Sequence, residues 1–227
     1  MTRVQGFRRP LATLVTALVL AFGLTVIGTH ARAASPSTDD AAAFIRDMGH
    51  DAIVKLGDTE VPYEDRVQTF REMVDTGFAM ESISRFVLGR YWRVASADEK
   101  NAFQDVFLRV VAQRFLPLFE GYTLDDFEVT GARPDPNNPE KLFLVSSRVT
   151  QPSGDGKAKA GWRVQPRDEG FKIVDVLAEG VSMAITLRSE YNSLIQRNGG
   201  QVSALIERLE KNVEKGAYKP ETAEDLV

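Results

Sequence analysis

The chain has 227 residues, of which 43% are hydrophobic and 26% charged, the composition of an ordinary globular protein rather than a disordered or fibrous one. Its formal net charge of −4 hides an asymmetry. The first 33 residues carry four arginines (Arg3, Arg8, Arg9 and Arg32) and no acid, which leaves the remainder at −8. A body that acidic argues against non-specific nucleic-acid binding, whose phosphate contacts need an excess of Lys and Arg. The absence of cysteine excludes disulfides, thiolate metal sites, a cysteine nucleophile and a lipidated N-terminal cysteine.

Met1–Pro10 is basic and precedes an apolar run of 18 residues from Leu11 to Gly28. Ala31-Arg32-Ala33 then places small residues at the two positions a signal peptidase reads. The order is that of a secretory signal, with cleavage expected after Ala33. A run this short is near the lower limit of a membrane span, and Gly23, Gly28 and its threonines weaken that alternative. The mature protein is then exported, which in a bacterium means the periplasm.

After a short polar leader at Ser35–Asp40, Phe44, Ile45, Met48, Ala52, Ile53 and Leu56 recur at helical spacing and Gly57 ends the run. Pro62 opens a second helix to about Thr76. A third is expected from Met80 to about Tyr91. Ser96 and Glu99 form a capping box that starts the longest helix, from Ala97 to about Phe119, with Pro117 as a breaker near its end.

Beyond Gly121 the texture changes. Phe127–Val129, Leu142–Thr150, Lys157–Gln165 and Phe171–Leu177 are short runs rich in β-branched and aromatic residues, separated by Pro-, Gly- and Asp-rich turns. They read as a meander of about four antiparallel strands. Two helices follow, Ser182–Gln196 and Gln201–Lys211, and residues 214–227 read as a polar tail. Helices first and an antiparallel sheet after specify an α+β fold, one sheet covered by helices, in a single domain over 34–213.

Chemistry is sparse. His50 has no second histidine beside it, and no nucleophile elbow, zinc-protease helix or phosphate loop is present. Asp135–Glu140 is oxygen-rich but lacks calcium-loop spacing and reads as a turn. Asp175 and Glu179 could act as a general base if buried in a cavity, which gives a small-molecule enzyme as one alternative. Apolar patterning is stronger. Phe103, Phe107, Val110 and Phe115 stripe the longest helix. Phe143, Val145 and Val149 alternate on one strand, and Ala158, Ala160, Trp162 and Val164 share a face of the next. Such stripes make a core or line a cavity, and patterning does not distinguish the two.

Two stretches resemble a known family. Phe86-Val-Leu-Gly-Arg-Tyr-Trp-Arg93 is similar to the LG-x-YW segment of the MlaC family, periplasmic lipid-binding components of the Mla phospholipid transport system, also called toluene-tolerance auxiliary proteins. Val174-Asp-Val-Leu-Ala-Glu-Gly-Val-Ser-Met183, followed by Arg188 and Tyr191, resembles a second segment. The likeness spans roughly Phe44 to Leu209. Phe171 stands before Lys172 where many members carry Trp, and the hopanoid-associated HpnM branch shares the architecture.

The resemblance implies a nuclear-transport-factor-like sheet with added helices around a pocket for two phospholipid acyl chains. It implies no catalytic residue, no cofactor and no metal. The expected partners are an outer-membrane MlaA-like lipoprotein with its porin, and an inner-membrane Mla ABC transporter with an MCE-type subunit. Combined with the stripes, it makes Phe86, Tyr91, Trp92, Val181 and the residues named above the expected lipid contacts. Arg90 and Arg93, within a local set that includes Arg85, Arg109 and Arg114, are the expected docking residues. Two acyl chains crossing water unprotected would cost roughly 20 kcal/mol or more at about 0.8 kcal/mol per CH₂, so a carrier must hide nearly all of both.

Overall fold

The computed structural model describes residues 35–150 and 156–219. The expected export signal and the end of the expected tail fall outside that range. Six α-helices and one antiparallel sheet are found among the described residues, with no helix long and apolar enough to cross a membrane. The α+β expectation holds.

Helix α1 (Thr38–Leu56) begins earlier than hydrophobic spacing indicates, because Ser37 and Asp40 form a capping box that satisfies the first free N–H groups. Helix α2 is Tyr63–Gly77 and α3 is Met80–Leu88. The latter is shorter than expected. Gly89 takes φ +55°, which stops the α-helix, and the chain continues as a 3₁₀ turn through Arg93. Helix α4 (Ala97–Phe115) starts on the Ser96–Glu99 capping box. It tightens into a 3₁₀ turn over Leu116–Phe119, since Pro117 has no N–H to continue the ladder.

Strands β1 (Phe127–Pro134), β2 (Phe143–Thr150), β3 (Lys157–Pro166) and β4 (Phe171–Ala178) form the meander. A fifth strand, β5 (Val181–Ser182), pairs with the end of β4, so the order is β1-β2-β3-β4-β5. Val145 lies opposite Trp162, and Trp162 opposite Val176, so these three share one face. Helices α5 (Met183–Arg197) and α6 (Val202–Glu214) complete the fold. The stretch after Val213 is not wholly solvated: the Tyr218 backbone N–H donates to Gln113 Oε1 at 3.1 Å and its ring packs on the helical core.

The interior divides into three apolar clusters. A helical cluster joins α3, α4, α5 and α6 around Phe103, Val106, Leu205 and Ile195, all without solvent exposure. A sheet cluster sets Val145, Val164 and Ile173 against Ala41 and Ile45 of α1. The third, around Leu56, Phe70, Val74 and Leu116, ties α1, α2 and the end of α4 together.

Candidate functional site

Strand alternation placed the sheet residues correctly relative to one another. Phe143, Val145, Val149, Trp162 and Val164 do share a face, with Phe143 opposite Val164 and Val149 opposite Ala158. That face is covered by α1, not by α4. Phe103 and Phe107 of α4 instead stack on each other with ring centres 5.5 Å apart. Both meet Tyr191 of α5 edge-on, at 6.1 and 6.3 Å. Val110 joins the same helical cluster and Phe115 packs on the third. The expected lipid contacts are therefore split between two walls that lean on different partners.

Several of them are not enclosed. Ala158 is exposed and Ala160 half-buried, whereas Trp162 is anchored by its indole N–H, which donates to Ser147 Oγ at 2.9 Å. Phe86 is 42% exposed and Val181 60%. Tyr91 is buried under Arg90, whose guanidinium sits 4.8 Å from the ring centre and donates to its hydroxyl at 2.8 Å. Trp92 lies between Arg85 and Lys100, at 5.8 and 5.4 Å.

An open groove of about 440 Å³ runs between α4, α5 and α6, over Val110, Leu194 and Leu205. Another of about 250 Å³ lies around Leu144, Gly161 and Leu177 of the sheet. Neither is a chamber between the sheet and helical clusters. A pocket of roughly 300–1,000 Å³ encloses a drug-sized ligand.

The carboxylates weighed as catalysts are structural. Asp175 accepts from Arg163 Nη1 at 2.6 Å, from Ser182 Oγ at 2.6 Å and from the Ala184 N–H at 3.1 Å. Every one of these contacts locks the β4–β5–α5 corner, and none leaves the carboxylate facing a cavity. Glu179 accepts from the Lys159 N–H at 2.6 Å. Spacing gave no sign that Arg163 is shared. Its Nε also donates to Asp135 at 2.9 Å, and Asp135 has no solvent exposure. Burial would raise the Asp135 carboxyl, but Arg163 and the N–H groups of Asn137 and Asn138 outweigh it and hold the group below its ordinary range. The Asp135–Glu140 segment is thus the expected turn, with its aspartate turned inward to clamp the sheet.

The family described as MlaC protein matches residues 50–211. The chain belongs to the MlaC family. Among solved structures, a phospholipid-binding protein from Ralstonia solanacearum, determined in complex with a phospholipid, has the same fold. The two share 19% sequence identity with a TM-score of 0.66, over 78% of this chain and 99% of that one. The α+β reading and the family resemblance are both upheld by these matches.

The two MlaC-like segments meet in space. A Cβ on Gly89, in the first segment, would come within 3.0 Å of Arg188 Nη2, just beyond the second. Arg188 donates to the Phe86 carbonyl at 2.9 Å, and Asn192 donates to that of Val87 at 2.8 Å. Gly89 thus suits the positive φ of this turn, and its missing Cβ leaves room for the Arg188 guanidinium beside it. Arg90 and Arg93, the residues expected to dock a partner, are exposed on the 3₁₀ turn that follows α3. Of the wider basic set, Arg85 pairs with Glu81 at 3.1 Å and Arg109 with Asp105 at 3.8 Å, as solvated helix faces commonly do.

Proposed function

We propose that this MlaC-family chain is a periplasmic phospholipid carrier, exported by a cleavable signal in residues 1–33. It shuttles lipid between an outer-membrane MlaA-like lipoprotein with its porin and an inner-membrane Mla ABC transporter, through the MCE-type subunit, and so maintains outer-membrane lipid asymmetry. The observation that carries this reading is the division of the interior. The sheet cluster and the helical cluster have no residue in common. Phe78 links the first to the third cluster, and Met80 and Val111 link the second to it.

Two separately packed walls can part along their seam without unpacking either, and acyl chains entering there replace the lost contacts. Burial of each CH₂ contributes about 0.8 kcal/mol, so the lipid itself stabilises the parted state. The phospholipid held by the Ralstonia protein of the same fold supports the ligand class. A carrier that holds lipid about as tightly as a membrane does supplies no direction, which assigns net transport to the ATP-driven partner.

The test is native mass spectrometry of the mature Ala34–Val227 protein purified from a Gram-negative host, with organic extraction of whatever is bound. A stoichiometric glycerophospholipid is expected, and Ala160→Trp, which fills the sheet wall, is expected to lower the load without unfolding the protein. A hopanoid would move the chain to the HpnM branch. An empty, folded protein, or a full load in Ala160→Trp, would overturn the reading.

A further inference from the structure

Arg188, just beyond the second MlaC-like segment, is a residue whose chemistry the fold alone does not use up. Its guanidinium lies 4.9 Å from the centre of the Phe86 ring. One of its five N–H groups donates to the Phe86 carbonyl at 2.9 Å, and among the described residues no carboxylate pairs with it. The group is exposed, yet seated: the Phe86 ring lies beneath it and the Phe86 carbonyl accepts from it.

Its surroundings are apolar and open. Phe86 is 42% exposed, Ile185 57% and Val181 60%. Ile185 precedes Arg188 by one helical turn on the same face of α5, and Val181 ends the loop from β4. Phe86 lies in the last turns of α3, on the helical half, and Val181 opens β5 at the end of the sheet. Exposed apolar area followed by a fixed, unpaired cation repeats the order of groups along a phospholipid, from acyl chain through ester to phosphodiester. On a body whose net charge is −8 without its first 33 residues, a retained cation beside apolar surface is a selective feature.

We propose that Arg188 receives the phosphodiester of the bound lipid, so that the phosphate, not the chains or the headgroup alcohol, is what this carrier selects. Guanidinium suits that task because its planar fork of donors matches two phosphate oxygens at once, which an ammonium cannot do. The proposal rests on the phospholipid-carrier reading above.

It is tested with delipidated mature protein and three probes: 1-palmitoyl-2-oleoyl-phosphatidylglycerol, the diacylglycerol with identical chains, and water-soluble glycerophosphoglycerol. Competition is read by native mass spectrometry. The wild type is expected to prefer the phospholipid over the diacylglycerol. Arg188→Gln is expected to reduce that preference about tenfold or more, the usual scale for a hydrogen bond to a charged group, while diacylglycerol binding stays as it was. Arg188→Lys should keep part of the preference. An equal loss of both lipids in Arg188→Gln would make the residue a support for α3 and overturn the proposal, as would an unchanged preference ratio. Strong binding of glycerophosphoglycerol lost in Arg188→Gln would mark a free-anion site and overturn it too. Failure of the wild type to bind either lipid would refute the carrier reading first and this inference with it.

Discussion

Replacing Asp175 by Ala removes the carboxylate on which the corner between β4, β5 and α5 is built. Three donors lose their acceptor: the Arg163 guanidinium, the Ser182 hydroxyl and the Ala184 N–H. Asp175 is only 8% exposed, so water does not readily take its place. Breaking a buried ion pair from one side costs about 3–5 kcal/mol. Arg163 retains Asp135, which puts the expected loss near the lower end, about 3 kcal/mol including the two stranded neutral donors. In a chain of this size roughly 2–4 °C of melting temperature accompanies each kcal/mol, so Tm should fall by about 6–12 °C. Circular dichroism melts and urea titrations at pH 7 measure it. Ser182→Ala made on top of Asp175→Ala should cost less than Ser182→Ala alone, because the hydroxyl has already lost its partner. A loss below about 1 kcal/mol, or strict additivity of the two changes, would refute the shared-anchor account of this corner.

Gly89→Ala should destabilise by about 1–3 kcal/mol in urea titrations, since the residue holds φ +55° and a Cβ would press on Arg188. No change would mean that the 3₁₀ turn relaxes freely and that α5 is not held close to α3 there. The folded Asp135 carboxyl lies below its ordinary value of 3.8, so its contribution is present above that pH and is lost as pH falls through the folded value. Urea stability should therefore drop on acidification below 3.8, and Asp135→Asn should shrink that part of the drop. An identical acid profile in the variant would assign the loss to other carboxylates.

Hydrophobic period told which face of each element is buried but not what buries it. The α4 stripe of Phe103, Phe107 and Val110 was plain, yet periodicity is the same whether a helix faces a sheet or another helix, and here it faces α5 and α6. Strand alternation fared better because a pairing register of period two fixes faces for all partners at once, as Val145, Trp162 and Val176 show. The two-residue strand β5 is too short to carry any period. The early start of α1 could have been read from Ser37 and Asp40, a capping pair in plain view. Arg163 could not. Its two carboxylates lie 28 and 12 positions away in sequence, on a turn and a strand that only tertiary structure brings together. Arg188 was visible as a motif residue, but its exposure and its seat on Phe86 belong to the fold.

Chain order imposes a schedule on this architecture. Asn192 fastens α3 from 105 positions downstream, and the partners of Val87, Leu88 and Phe103 include Tyr191, Ile195 and Leu205. Whether the chain emerges from a ribosome or from an export channel, its N-terminus comes first, so the apolar faces of α3 and α4 wait for the helices that cover them. The sheet, encoded in between, has α1 already available and can close first. Newborn chains of this protein therefore pass through a stage in which one half is finished and the other presents bare leucine, valine and phenylalanine. A truncated product ending at the sheet would remain at that stage, a ready client for chaperones and proteases.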